Sequence, residues 1–275
     1  MNDFTGQTVV VTGANSGIGL AAAEAFARGG ARLGMVGRDG ARLDQAATAV
    51  RAAAPGADVT AFQADFASLS DVRTLAANLR VAYEHIDVLA NNAGGAIAKR
   101  GTTVDGYETT IGVNHFAPFL LTHLLRDRLT GGRVITTASD AHTAGKLDPD
   151  NLNSDGPYRM FTVYGSSKQA NILFAAEAAR RWPEITSVSY HPGVVRTRFG
   201  RDSGLVNTFY KLAPFLLTPA KGADTKLWLA AAPDAQISNG AYYVKRKVTR
   251  PAASTRSPEL AAALWTATER AVDLG

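Results

Sequence analysis

The sequence predicts an α/β fold, a single doubly wound domain on a mainly parallel seven-stranded sheet. Three observations predict it. Short apolar runs alternate with helical stretches every 20–30 residues, the pattern of right-handed βαβ units. The 275 residues suit one core, since single domains grow to roughly 250–300 residues before a core divides. No internal repeat and no low-complexity linker offers a boundary, so residues 1–275 read as one domain. A hydrophobic content of 46% with 19% charged residues agrees with a packed chain rather than a disordered one.

Each element has its own signal. Residues 8–11 are a β-branched run that ends at Thr12-Gly13. A helix over about 17–28 places Ile18, Leu20, Ala22, Ala25 and Phe26 at apolar positions, and Gly29-Gly30 stops it. Residues 32–36 read as a strand, 42–53 as a helix closed before Pro55-Gly56, and 58–63 as a strand. Ser70 is expected to cap a helix through Tyr83, its hydroxyl accepting a free first-turn N–H. The apolar run 86–90 suits a strand covered on both faces. A long helix is expected over about 104–129, bent near Pro118. A strand at 133–137, a polar loop at 146–157 and a helix at 163–181 follow, and Pro183 stops that helix. The strand 186–190 ends at His191-Pro192-Gly193. A mixed region leads to a helix at 220–231, a strand at 241–244 and a last helix at 257–271.

The first strand–helix junction reads Thr12-Gly13-Ala14-Asn15-Ser16-Gly17-Ile18-Gly19. The glycines follow G-x3-G-x-G rather than the usual G-x-G-x-x-G. The physics is similar: small residues let the backbone approach a pyrophosphate, and the helix start stabilises its charge. The same glycines could make a plain tight turn, but their place between the first strand and first helix favours a dinucleotide. Many NAD binders carry an acidic residue at the end of the second strand to hold ribose hydroxyls. Here that place is Gly37, followed by Arg38. A guanidinium offers a phosphate a planar fork of donors. The expected cofactor is therefore NADP, as NADPH or NADP+, ahead of NAD. The plainer alternative is a surface arginine paired with Asp39.

Tyr164 and Lys168 form Y-x3-K on a helix, where residues four apart share a face. A free tyrosine, with a pKa of about 10, is a poor base at neutral pH, and a nearby ammonium lowers that value. The spacing alone is common by chance.

Together, Thr12 to Gly19, Asp65, Asn91-Asn92-Ala93-Gly94, Asn114, Ser139, Tyr164 with Lys168, and Pro192-Gly193 resemble the short-chain dehydrogenase/reductase family, in its order over about 7–200. The stretches 113–122 and 164–174, the 25-residue gap from Ser139 to Tyr164, and the segments 218–223 and 240–243 resemble its retinol-dehydrogenase-like branch. The resemblance implies one Rossmann domain and an NADP-dependent oxidoreductase that interconverts an alcohol and a ketone or aldehyde. It implies that Tyr164 is the general acid/base and also contacts the cofactor, that Lys168 binds the nicotinamide ribose and depresses the tyrosine pKa, that Ser139 bonds the substrate oxygen, and that Asn114 holds a relaying water. Gly13, Asn15, Ser16, Gly17, Ile18 and Gly19 would line the phosphates. Asp65 and Phe66 would lie at the adenine and Asn92, Ala93 and Gly94 on the adenosine side. Pro192, Gly193, Val195 and Thr197 would lie at the nicotinamide end. Two departures are visible: Ala138 stands where a Ser-Ser pair is commoner, and Phe66 where Leu or Val is commoner. A dinucleotide-binding sensor or scaffold with vestigial catalysis is the alternative. Such relatives commonly lose the tyrosine or the lysine, and both are present.

The substrate is expected to be a small apolar alcohol or carbonyl compound. Its pocket is expected over about 196–220, where Phe199, Leu205, Phe209, Tyr210 and Phe215 lie. Assembly as a homodimer or homotetramer through the helices at about 104–129 and 163–181 is implied by resemblance. No metal is expected: His115 and His123 could share a helix face but lack a carboxylate partner there. His142, three residues after Ser139, could line the pocket or be a plain loop histidine. No G-x-S-x-G turn supports a hydrolase. The absence of cysteine excludes disulfides and thiolate chemistry. The net charge of +5 is scattered, apart from Lys245, Arg246, Lys247 and Arg250, so no nucleic acid is expected. No run reaches the roughly 20 apolar residues of a membrane span, and the first residues lack a signal-peptide pattern. The expected location is cytoplasmic.

Overall fold

The computed structural model describes residues 2–195 and 216–274. Eight strands form one sheet among them, in the order β3-β2-β1-β4-β5-β6-β7-β8. They are β1 (Thr8–Thr12), β2 (Arg32–Gly37), β3 (Val59–Gln63), β4 (Val88–Asn91), β5 (Arg133–Thr137), β6 (Thr186–His191), β7 (Tyr242–Val244) and β8 (Lys247–Val248). The first seven pair in parallel, and β8 runs antiparallel to β7. The described residues thus hold one strand more than the apolar pattern predicts. β8 is two exposed residues long, too short to show a period, and it follows a turn in which Lys245 and Arg246 are both left-handed (φ 49° and 64°).

Side chains of β1 alternate between two cores. Val9 and Val11 face a cluster with α1 (Gly17–Arg28), α2 (Gly40–Ala53) and α7 (Pro219–Ala231). Val10 faces the other cluster, with α3 (Leu69–Ala82), α5 (Ala117–Leu124), α6 (Met160–Arg181) and α8 (Pro258–Ala271). A strand has period two, so a run that is buried at every position must be covered on both sides. Burying each such valine contributes about 1.5–3 kcal/mol.

Two boundaries differ from expectation. Ser68, not Ser70, caps α3, accepting from the Asp71 N–H at 3.2 Å. Only Ser68 has an acidic residue three places on, and its hydroxyl donates to the Asp71 carboxylate at 3.0 Å, a reciprocal arrangement close to a capping box. The long helix begins at α4 (Thr109–Ile111), widens into a π-helical turn at Gly112–Phe116, continues as α5 and tightens at Arg126–Arg128. Before it the chain turns at Gly106 (φ 87°), and Glu108 accepts from the Ile111 N–H at 3.0 Å. The Ala117 N–H donates to Gly112, five residues back, so the helix changes register where Pro118 has no N–H to give.

The last helix, α8, lies across α5 and α6. Trp265 sits 4.9 Å from the rings of both Phe119 and Trp182, beneath the Arg181 guanidinium. Part of the helical surface expected to join two copies is therefore buried within the chain.

Candidate active site

The sheet order reverses between β1 and β4, so their C-terminal ends open a crevice, the usual ligand position in such sheets. Thr12, the last residue of β1, ties its two walls together. Its hydroxyl accepts from the Asn92 and Ala93 N–H groups, both at 2.9 Å, and its carbonyl accepts from Asn92 Nδ2 at 2.9 Å. The Asn92 amide then fills space that side chains would need. A Cβ at Gly13 would lie 3.2 Å from Asn92 Nδ2, and one at Gly19 would lie 2.6 Å from it. Gly13 and Gly17 are left-handed (φ 66° and 55°), which only glycine adopts freely.

The start of α1 suits an anion. Ser16 is exposed and makes no capping bond, and the first turn holds no acidic residue. By contrast, Asp39, Ser68, Thr218 and Ser257 each cap their own helices. Asn15 packs at the end of β2, where a Cβ at Gly37 would lie 3.4 Å from its Cγ. Arg38 is exposed beside it. Asp39 caps α2 and pairs with Arg42 at 3.2 Å, which leaves the Arg38 guanidinium without a partner among the described residues. Asp65 is half-buried and accepts from the Ala67 N–H at 2.9 Å, and Phe66 is buried. These features fit a phosphorylated dinucleotide: a glycine cradle, an uncapped helix start and an unpaired guanidinium.

Lys168 and Asn114 come together at Gly94 (φ 146°). A Cβ there would lie 2.5 Å from Asn114 Oδ1 and 3.7 Å from Lys168 Nζ. Asn114 is clamped: its Oδ1 accepts from the Gly95 N–H at 2.9 Å, and its Nδ2 donates to the Gly95 carbonyl at 3.0 Å and to the Ser167 hydroxyl at 2.9 Å. Ser167 donates on to the Tyr164 carbonyl at 2.7 Å. Lys168 is buried, donates to the Thr137 carbonyl at 3.1 Å, and lies 5.4 Å from the centre of the Tyr164 ring. Burial pulls its pKa down to about 8.

Ser139, two residues beyond Thr137, is half-exposed and starts the turn Asp140–Ala144, its Oγ accepting from the Ala141 N–H at 3.2 Å. His142 holds this turn. Its Nδ1 donates to the Ser139 carbonyl at 2.8 Å, and its Nε2 accepts from the Ala252 N–H at 3.1 Å. With both nitrogens bound to backbone, His142 positions Ser139 and offers the pocket no polar atom. Asp140 accepts from the Tyr242 hydroxyl at 3.0 Å and from His191 Nε2 at 3.1 Å. That links the Ser139 turn to the end of β6, where Pro192 and Gly193 (φ 84°) follow. Burial lowers the His191 pKa, with Asp140 opposing the shift. Val195 is buried and bridges Leu217, and Ile18 and Val195 both abut Gly222 of α7. Thr197 and the pocket region 196–215, including Phe199, Leu205, Phe209, Tyr210 and Phe215, lie outside the described residues.

His115 and His123 both pack against Phe119 and differ in their other partners. His115 Nε2 lies 3.0 Å from Thr268 Oγ1, and burial holds its pKa near 4. His123 packs 5.5 Å from Trp182. Two residues of this neighbourhood escaped the sequence reading. Ser167 reads as a spacer between Tyr164 and Lys168, and Lys226 reads as a solvated helix lysine. No helix of the described residues is long and apolar enough to cross a membrane.

The family described as short chain dehydrogenase matches residues 7–205. A protein of Streptomyces sp. (strain C5), provisionally named daunorubicin C-13 ketoreductase, is 54% identical over 97% of this chain and 93% of its own. Human retinol dehydrogenase 13 is 36% identical over 98% of this chain and 85% of its own. A short chain dehydrogenase from Burkholderia cenocepacia J2315, solved in complex with NADP, superposes with a TM-score of 0.70. It is 25% identical and covers 88% of this chain and 96% of its own.

Proposed function

The chain belongs to the short-chain dehydrogenase/reductase family and is an oxidoreductase of its retinol-dehydrogenase-like kind, and from that premise we propose that it is an NADP-dependent enzyme interconverting an alcohol and a ketone or aldehyde. The observation that carries this reading is the buried Lys168 ammonium, 5.4 Å from the Tyr164 ring and beside Gly94 and Asn114.

When bound, the nicotinamide supplies or accepts the hydride. Tyr164 gives its hydroxyl proton to the carbonyl oxygen in reduction and takes it back in oxidation. Ser139 donates a hydrogen bond to the same oxygen and stabilises the charge that develops there. Lys168, held by Thr137, directs its remaining protons toward the tyrosine and the cofactor ribose. Asn114, held by Gly95 and Ser167, orders the proton path behind Lys168. Gly13 to Gly19 hold the pyrophosphate, Arg38 the 2′-phosphate, Asp65 the adenine, and Asn92 to Gly94 the adenosine side.

The substrate is proposed to be apolar. Phe161 is 60% exposed one helical turn before Tyr164, and Val194 is 52% exposed beside Gly193. The relatives' names, a ketoreductase and a retinol dehydrogenase, support a carbonyl–alcohol pair. The reading includes a cytoplasmic location.

The test is fluorescence titration with NADPH and NADH, followed by a panel of aldehydes and ketones assayed with NADPH. Tighter binding of NADPH and turnover of at least one carbonyl are expected. Tight NADPH binding with no turnover across the panel would favour the sensor or scaffold alternative. Binding of neither cofactor would overturn the reading.

A further inference from the structure

Lys226 of α7 is fully buried, yet no carboxylate among the described residues pairs with it. Asp224, two residues earlier, is taken by Arg246 at 2.8 Å. The described partners of Lys226 are neutral: its Nζ donates to Asn92 Oδ1 at 2.6 Å and lies 5.7 Å from the Tyr190 ring. A buried ammonium with neutral partners is costly, and burial draws its pKa down to about 7. A core helix position would be filled at lower cost by leucine or methionine. The expense therefore points to the group that Lys226 holds.

That group is Asn92. A lysine only donates, so Nζ dictates which end of the amide faces it. Oδ1 turns to Lys226, and Nδ2 turns to the Thr12 carbonyl and the space beside Gly13 and Gly19. With Lys226 absent, Asn92 could flip or swing, and the floor of the glycine loop would lose its fixed shape. The same helix touches that loop a turn earlier, where Gly222 abuts Ile18. We propose that Lys226 is a positioning residue of the dinucleotide site, fixing the Asn92 amide against the glycine loop. The proposal rests on the dinucleotide reading above.

The test compares wild type, Lys226→Met and Lys226→Gln by fluorescence titration with NADPH and with NADH. Methionine keeps the bulk and removes the donor, while glutamine restores a donor. Lys226→Met is expected to weaken both cofactors by roughly tenfold, the effect of losing one hydrogen bond from a charged group. The ratio of the two affinities should not change, because the 2′-phosphate is held elsewhere. Lys226→Gln is expected to recover most of the loss. Wild-type affinity in Lys226→Met, or no recovery in Lys226→Gln, overturns the proposal while leaving the dinucleotide reading intact. If wild type binds neither cofactor, that reading itself falls. Should Lys226→Met not fold, wild type labelled with 15N-lysine decides. The Lys226 Nζ resonance, assigned by its absence from Lys226→Gln, should shift on saturation with NADPH, and a stationary resonance overturns the proposal.

Discussion

Asn114 and Ser167, 53 residues apart in sequence, meet through a buried hydrogen bond of 2.9 Å from Asn114 Nδ2 to Ser167 Oγ. Because Ser167 donates onward to the Tyr164 carbonyl, the π-helical turn that carries Asn114 is fastened to the helix that carries Tyr164 and Lys168. Ser167→Ala leaves an Asn114 donor unsatisfied, at a cost of about 1–3 kcal/mol. Turnover at saturating NADPH should fall roughly tenfold, with cofactor affinity little changed. Steady-state kinetics and a binding titration would separate the two, and an unchanged turnover would count against the fastening role.

Tyr164→Phe removes the proton donor and keeps the ring beside Lys168. Turnover should drop by about 10²–10⁴, the usual share of a general acid, while the NADPH dissociation constant stays within a factor of about three. Loss of NADPH binding in parallel would instead make cofactor binding the main role of the tyrosine.

Arg38 is exposed and its guanidinium has no partner among the described residues, so Arg38→Ala should leave the fold untouched. Its melting temperature should match wild type, and its preference for NADPH over NADH should fall by at least about tenfold, the worth of a charge-assisted phosphate contact. A retained preference would place the 2′-phosphate on another group.

The depressed pKa of Lys168 makes stability depend on pH. Its folded value of about 8 lies below the ordinary lysine value of 10.5, so between those values the unfolded chain binds more protons. Stability from this group therefore rises as pH increases through that window. Compared with Lys168→Met, wild type should gain melting temperature from about pH 7.5 to 10. An equal slope in both proteins would mean that Lys168 is not desolvated in solution.

Trp265 lies between Phe119, Phe174 and Trp182. Trp265→Ala should cost about 3–5 kcal/mol and lower the melting temperature markedly. Because α8 covers part of the face across α5 and α6, a homodimer or homotetramer joined there must use the part of that face left uncovered, and light scattering should give at least twice the 28.9 kDa of one chain. The mass of one chain would overturn that assembly.

Much of this was legible in the sequence, and the exceptions have causes. The parallel strands announce themselves because burial on both faces demands unbroken apolar runs, as in Val9 to Val11. The site is legible where chemistry restricts residue type, as at Gly13, Gly94 and the Tyr164–Lys168 pair. It is illegible where a common residue has an uncommon environment. Lys226 carries the residue type of a solvated helix face, and only the packing of α7 buries it. His142 stands near Ser139 as expected, but its role depends on a backbone N–H at Ala252, more than a hundred residues away. Ser70 and Ser68 are equivalent caps until Asp71 is counted.

The antiparallel hairpin of β7 and β8 has a consequence for the molecule in crowded solution. A parallel sheet ends in a row of unpaired backbone groups that can template another chain. Here that border is closed by two residues, Lys247 and Val248, and the turn before them projects Lys245 and Arg246. A second molecule seeking to extend the sheet would meet the charges of Lys245 and Lys247, with Arg246 paired to Asp224, beside a strand too short to register on. The basic cluster so works as a guard against fibre-like stacking, and replacing it with neutral β-branched residues would open the sheet to growth.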